Sequence, residues 1–498
     1  MSLTRRTFFK GMLIATAAAV AACTPNHGPI PGQATPAGAD AEPRELPIPP
    51  LYEGELRGDT RVFKLTAQSG QFEIVPGQKT KTWGFNGAWL GPTLYMRRGE
   101  KIDMTVHNEL DEPTVVHWHG LHLPAAADGG PALVFDPGQS WNPTWRVEQA
   151  AATCWYHPHP HGVSALHAYR GLAGGIIVAD EASDATALPK NYGVNDIPVI
   201  ITDAKFTSGQ LDETIDPTYG LLGTTPLING ITKPYFQAEE GQVRFRLVNG
   251  ATMRFHHLSF GVPMQVVATD QGLLEEPVEA DAILLSPGER AEIILNLEKD
   301  KTYTLRSIGV ADNGGLEKGA TADGFGLRER FDLLEVRGPA GEVKEPVQLG
   351  KLVEVDNLDP AGAVEREFRL NGFQINEQTM DMDRVDFIVE RNSPEIWSIT
   401  NENPDWPHNF HIHNARFQVM EVHNGNIEFT QGWHDTINVP PLSTVKLLVD
   451  IGWYPDPTLA YMYHCHMLFH EDQGMMGQFV VAAPGDEVNL KFAGEHSH

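Results

Sequence analysis

Residues 102–108 read IDMTVHN: Ile102, Met104 and Val106 alternate with Asp103, Thr105 and His107, and the run stops at Asn108. An alternation of period two closed by a turn residue is the pattern of a half-buried β-strand. The pattern returns twice. Val243, Phe245 and Leu247 alternate with Arg244 and Arg246 up to Asn249, and EIWSITN spans 395–401. From Asn108 to Asn249 is 141 residues and from Asn249 to Asn401 is 152, each the size of a domain.

The residues after each asparagine also match. His117-Trp118-His119 comes after the first, His256-His257 after the second, and HNFHIH (408–413) after the third. A second matched strand comes later: Tyr156-His157-Pro158-His159, then Thr304-Leu305-Arg306-Ser307, then Tyr463-His464-Cys465-His466. The chain therefore reads as all-β, one β-sandwich written three times, with the outer copies rich in histidine and the middle one largely without it. The expected divisions are 46–182, 183–345 and 346–488.

Composition agrees. A chain of 498 residues is too long for one core, and 48 Gly, 36 Pro and only 20% charged residues suit a loop-rich all-β protein. A formal net charge of −28 argues against a nucleic-acid partner, which needs a basic face. Residues 1–23 read as an export signal: Thr4-Arg5-Arg6-Thr7-Phe8-Phe9-Lys10 is of the twin-arginine type, and the apolar run Gly11–Ala22 is too short to span a bilayer. Val20-Ala21-Ala22-Cys23 looks like a lipoprotein processing site. The expectation is an extracytoplasmic protein anchored by lipid through Cys23. Residues 24–45, rich in Pro, Ala and Gly, read as an extended tether, and 489–498 as a tail. After processing only Cys154 and Cys465 remain, so no disulfide framework is expected.

Residues i and i+2 of a strand share a face. His117/His119, His157/His159, His411/His413 and His464/His466 are thus four pairs of neighbouring imidazoles, two in each outer repeat. If these repeats face each other, eight imidazoles converge, too many for one ion and suited to a small copper-, zinc-, iron- or nickel-type cluster. Cys465 points to the other face, where His408, His470 and a weak Met475 complete a His₂Cys site of the blue-copper kind. Pro158 and Ser307 occupy the Cys465 position in the other repeats, so only the third can hold this site.

These residues resemble the multicopper oxidase family through HWHGLH (117–122), CWYHPHPHG (154–162), HNFHIH (408–413) and HCHMLFHEDQGM (464–475). The resemblance implies three tandem cupredoxin-like Greek-key domains and four copper ions. His408, Cys465, His470 and Met475 would hold the type 1 ion, and His117 and His411 the type 2 ion. His119, His157, His159, His413, His464 and His466 would hold the type 3 pair. It implies one-electron oxidation of a reductant coupled to reduction of O₂ to water, with Asp128 and Glu471 as candidate proton-relay groups. The reductant is expected to be a phenol or aromatic amine. The alternatives are a metallo-oxidase of Cu(I), Fe(II) or Mn(II) and a non-enzymatic scaffold, which predicts lost ligands.

Asp405 and Trp406 should line the approach to His408. Trp118 and Trp155 are expected to pack around the cluster, and His122, His161 and His167, which neighbour the motifs without matching a ligand position, to support the ligands or be structural. His256 and His257 read as relics or core residues, and the paired methionines of TMDMD (379–383) as strand packing. A monomer is expected.

Overall fold

The computed structural model describes residues 33–310 and 319–488; the expected signal with Cys23 and the tail 489–498 lie outside them. The three repeated strands become Lys101–Asn108, Gln242–Asn249 and Glu395–Asn401. Each is the middle of a sheet and lies parallel to a preceding strand: Thr60–Phe72, Asp196–Ala204 and Val364–Asn371 respectively. The closing asparagines end the same ladder, opposite Ala67, Ile201 and Leu370.

The side chains of these asparagines show why the residue recurs. Asn108 Nδ2 donates to the carbonyls of Glu112 and Phe135, Asn249 Nδ2 to Arg254 and Leu285, and Asn401 Nδ2 to Trp406 and Val439. In each case Oδ1 accepts from the main chain two residues on, at Leu110, Ala251 and Asn403. A buried amide thereby satisfies backbone groups where the strand turns into the histidine-bearing segment, which neither a shorter nor an apolar side chain could do.

Each sandwich is completed by a second sheet with its own parallel pair: Thr93–Arg97 with Gly174–Ala179, Pro234–Gln237 with Phe331–Arg337, and Phe387–Glu390 with Met476–Ala482. Between the sheets lie three separate cores. Ile102, Met104 and Val106 are fully buried in the first, as their alternation requires. Each such apolar side chain contributes about 1.5–3 kcal/mol. The cores orient the strands, and the strands place the histidines.

Two segments depart from expectation. Residues 33–45, the described part of the expected tether, are bound to the second sandwich. Ala37 N donates to Thr225 Oγ1, and Arg44–Glu45 adds a parallel strand beside Pro234–Tyr235. Composition reported the lack of a core but not the open sheet edge that captures this chain. The third sandwich begins at Val364, while Leu349 and Leu352 before it pack against Leu188, Val267 and Ile294 around the second. Among the described residues no helix is long and apolar enough to cross a membrane.

Candidate metal centre

The short strand Val116–His117 pairs with Ala152–Pro158 through His117 opposite His157, and His408–Ile412 pairs with Tyr461–His464 through His411 opposite His464. The same cross-strand pairing thus occurs in the first and third sandwiches. Their histidine faces meet. His159 Nε2 and His413 Nε2 lie 3.3 and 3.1 Å from His464 Nε2. His157 Nε2 and His119 Nδ1 lie 3.3 and 3.1 Å from His466 Nε2. Two nitrogens bound tetrahedrally at about 2.0 Å from one ion are separated by about 3.3 Å. Each trio therefore fits one metal ion, and each draws on both sandwiches.

His117 and His411 form a third group. Their Nδ1 atoms each lie 2.9 Å from a main-chain carbonyl, of Asp128 and Asp435, while both Nε2 atoms are buried without a hydrogen-bond partner. An orphaned imidazole nitrogen in a dry site costs about 1–3 kcal/mol unless something coordinates it. Nδ1 hydrogen-bonded outward and Nε2 turned inward is the tautomer of a metal ligand. For His117, His119, His157, His413, His464 and His466, burial first and neighbouring imidazoles second push the pKa well below its ordinary value. The rings are neutral and ready to bind cations.

On the opposite face Cys465 Sγ stands 3.7 Å from His408 Nδ1 and 3.6 Å from His470 Nδ1, with the two nitrogens 3.2 Å apart. These separations suit a trigonal ion with metal–nitrogen near 2.0 Å and metal–sulfur near 2.3 Å. Asn403 Oδ1, 2.8 Å from His408 Nε2, leaves Nδ1 free for that ion. Burial raises the Cys465 thiol to about 12 although the main-chain N–H groups of Asn409 and Met467 favour the thiolate; a coordinated metal would deprotonate it outright. Met475 is buried beside the site, its carbonyl accepting from Cys465 N at 3.1 Å and its N–H donating to His470 O at 3.0 Å.

Both candidate relay carboxyls reach the cluster. Asp128 Oδ2 lies 2.7 Å from His413 Nδ1. Glu471 places Oε1 3.5 Å from His159 Nδ1 and Oε2 3.3 Å from His464 Nδ1. Burial raises both pKa values well above the usual carboxyl range. Such groups can carry a proton at neutral pH.

The middle sandwich keeps a vestige. The asparagine contacts make Arg254 equivalent to Trp406, so His256 stands where His408 does, with both ring nitrogens buried and unpartnered and burial lowering its pKa to about 3. Ser307 opposite Leu258 is the counterpart of Cys465. His257 is structural, between Gly309 O and Glu428.

Among the smaller expectations, Trp118 and the TMDMD stretch depart from what the sequence suggested. Trp155 does pack on the cluster, 4.3 Å from His157, but Trp118 lies between two ligands on a strand and so points away, against Trp145 and Tyr156. The TMDMD stretch is a loop, not strand packing; Met380 N donates to Gly474 O beside Met475, and Met382 O accepts from Gln478. His122 stacks on Trp453 at 3.7 Å, and His167 bonds Glu112 at 3.1 Å, both structural roles; His161 is exposed.

Trp406 stacks on His470 at 5.8 Å, with Phe325 and Phe373 completing an aromatic cover that leaves His470 fully buried. Exposed Asp405 beside it accepts from Thr321 Oγ1 of the second sandwich.

Sequence reasoning missed the support around the ligands. Asp435 binds Arg290 through two hydrogen bonds of 2.7 and 2.6 Å and meets His119 Nε2 at 3.0 Å. Burial opposes its ionisation, but Arg290 and His119 outweigh it and hold the carboxyl well below its usual range. Neither residue carries a spacing that could have revealed these contacts, because Arg290 of the second sandwich reaches Asp435 of the third, and the Asp435 carboxylate reaches His119 of the first.

Three family models, each described as multicopper oxidase, match residues 66–183, 212–324 and 353–485. The chain is 34% identical over 430 residues to the multicopper oxidase mco of Staphylococcus aureus, covering 84% of this chain and 88% of that one. It is 36% identical over 501 residues to the cell division protein FtsP of Sodalis glossinidius, covering 97% and 99%. Among solved structures, a multi-copper oxidase from Pediococcus acidilactici superposes with a TM-score of 0.81 at 31% identity, over 92% of this chain and 95% of that one. A Campylobacter jejuni multicopper oxidase described as a metallo-oxidase gives 0.77 at 26%, over 89% and 96%.

Proposed function

The chain belongs to the multicopper oxidase family, and from that premise we propose that it oxidises a reductant one electron at a time at His408–Cys465–His470 while O₂ is reduced to water among the eight cluster histidines. The observation that supports this reading is the completeness of the set: all twelve expected ligand residues are buried, and the histidine nitrogens and the Cys465 sulfur gather into groups at coordinating separations. Four copper ions, one type 1, one type 2 and a type 3 pair, would supply the one-electron chemistry and the storage of reducing equivalents.

The chain's own residues do the rest. Cys465 lies between His464 and His466 in sequence, so one residue of backbone would link the site of electron entry to a histidine of each trio that would hold the type 3 pair. Asp128 holds His413 in its metal-binding tautomer, and Asp435 does so for His119. Protonated Glu471, between His159 and His464, can deliver a proton into a site that excludes bulk water. The aromatic cover keeps water and large groups from His470, so reductants meet Trp406 and Asp405 at the surface.

A phenol or aromatic amine stacked on Trp406 is the reductant we favour. The full burial of His470 and the adjacent Asp405 carboxylate support a second reading, a small low-valent metal ion. The scaffold reading predicts missing ligands, and each of the twelve positions carries a residue of ligating type. We place the protein outside the cytoplasm, exported by the Thr4–Lys10 signal and anchored through Cys23, as a monomer; the mass of the mature N-terminal peptide tests the anchor.

Oxygen uptake by the copper-loaded protein tests the reaction, with 2,6-dimethoxyphenol, Cu(I), Fe(II) and Mn(II) supplied in parallel. Fast uptake with the phenol alone is the expected result. Uptake only with a metal ion would replace the phenol reading by the second one, and none from a protein holding four coppers would remove the oxidase.

A further inference from the structure

We propose that the loop Ser286–Arg290 of the second sandwich, which holds no metal ligand, positions ligands of both metal sites and so sets the environment of the Cys465 sulfur and of the cluster together. The proposal rests on the copper reading of these sites. The loop joins the strands Ile283–Leu285 and Arg290–Asn296, and three of its parts reach the metal centres.

The first arm runs through Asn409, a fully buried residue between His408 and Phe410. Its Nδ2 donates to Ser286 Oγ at 3.0 Å and to Pro287 O at 2.7 Å. Its Oδ1 accepts from His466 N at 2.7 Å and lies 3.4 Å from Cys465 Sγ. Pro287 O can only accept and His466 N can only donate, so the amide has one orientation. The main-chain N–H of Asn409 also donates to the Cys465 sulfur. Holding this amide therefore holds the sulfur's own hydrogen bond and the start of the step from Cys465 to His466.

The second contact is Gly288. Its φ is +90°, and a Cβ there would come 2.9 Å from the His466 ring. Only glycine fits both the backbone and the ring lying against it. The third arm is Arg290, whose guanidinium grips Asp435, the residue that meets His119 through its carboxylate and His411 through its carbonyl.

The loop is stiff enough to transmit position. Ser286 N donates to Glu289 Oε2 at 2.5 Å, Gly288 N to Asn249 O at 2.8 Å, and Asn249 N to Glu289 O at 3.0 Å. Arg290 is further tied to the carbonyls of Thr153, Asp270 and Gly288. Hydrogen bonding around a ligating sulfur tunes the potential of a blue-copper site, and outer groups on ligating histidines tune affinity.

The experiment uses the full-length protein loaded with copper, as parent, Ser286→Ala and Arg290→Gln. It reads copper content, the visible absorption and electron spin resonance of the type 1 ion, its reduction potential, and the near-ultraviolet absorption of the type 3 pair. Ser286→Ala is expected to keep four coppers, lower the type 1 potential and change its spin-resonance coupling while leaving the type 3 absorption intact. Arg290→Gln is expected to do the reverse: parental type 1 spectra, altered type 3 absorption, and cluster affinity for copper reduced about 10- to 100-fold. A four-copper Ser286→Ala with parental type 1 spectra and potential would overturn the proposal, leaving the loop as an interdomain seal. Should Arg290→Gln fail to fold, Ser286→Ala decides alone. A parent that takes up fewer than four coppers would bring down the copper reading itself, and this proposal with it.

Discussion

At the scale of single residues the site depends on which imidazole nitrogen faces inward. His117 and His411 are set by main-chain carbonyls, which mutation of a neighbour leaves largely intact. His413 is set by the Asp128 carboxylate at 2.7 Å, and that can be changed alone. Asp128→Asn keeps a hydrogen-bond acceptor for His413 but removes the carboxyl that can exchange a proton. Turnover should fall roughly 10- to 100-fold with copper content unchanged, measured as oxygen uptake per copper. Glu471→Gln makes the contrasting case, because Glu471 lies 3.3–3.5 Å from two ring nitrogens and is raised well above the ordinary carboxyl range by burial. Gln fills the same space and cannot donate a carboxyl proton. Its turnover should fall by a similar factor with a larger solvent isotope effect than the parent, whereas an unchanged rate and isotope effect would exclude Glu471 from proton delivery.

At the scale of elements, the strands are legible in the sequence and their supports are not. The period-two alternation around Ile102, Val243 and Ile396 locates the middle of each sheet, and His-x-His places two ligands on one face because a strand has that period. The same rule turns Trp118, between two ligands, away from the cluster, against the expectation that it packs there. Arg290 and Asp435 escape for a different reason: they act across sandwiches, and no local periodicity encodes a contact between residues 145 positions apart. The element carrying Arg290 also makes a prediction about pH. Glu289 is buried, and burial first, then Asp270, raises its pKa to about 8. Between its unfolded value near 4.3 and about 8 the native state binds more protons than the unfolded state. Stability contributed by this group is therefore full below the unfolded value, declines as pH rises through that window, and is level above it. The limiting slope is about 1.4 kcal/mol per pH unit for a whole proton. Glu289→Gln, which can still accept from Ser286 N, should flatten the decline, seen as a smaller loss of thermal midpoint between pH 5 and pH 8 than in the parent.

At the scale of the whole molecule, triplication explains why the cluster lies between sandwiches rather than inside one. Each outer copy can present only two imidazole pairs on one sheet face, so two copies must meet to supply eight, and the middle copy is left to brace them through Arg290, Gly288 and Ser286. The three sandwiches and the paired histidines can be read from the repeat; the mutual orientation of the copies cannot, since it depends on interdomain contacts such as Asp472 with the N–H groups of Ser164 and Ala165, whose partners lie some 300 residues apart. The architecture makes metal a structural link. Without it, neutral imidazoles with orphaned nitrogens fill a buried interface between the first and third sandwiches. An ion held by either histidine trio would tie the two together, because each trio draws on both sandwiches. Binding to the native state alone stabilises by about 2.7 kcal/mol per site at a hundredfold excess over Kd. Stripping copper with a chelator should thus lower the thermal midpoint and split one calorimetric transition into at least two, the first and third sandwiches parting before their cores melt. His464→Ala in the copper-loaded protein should reproduce much of that loss, because His464 pairs with both His159 of the first sandwich and His413 of its own. A chelated protein that melts at the parental temperature in a single transition would show that the protein contacts alone, Arg290 with Asp435 foremost, hold the three copies together.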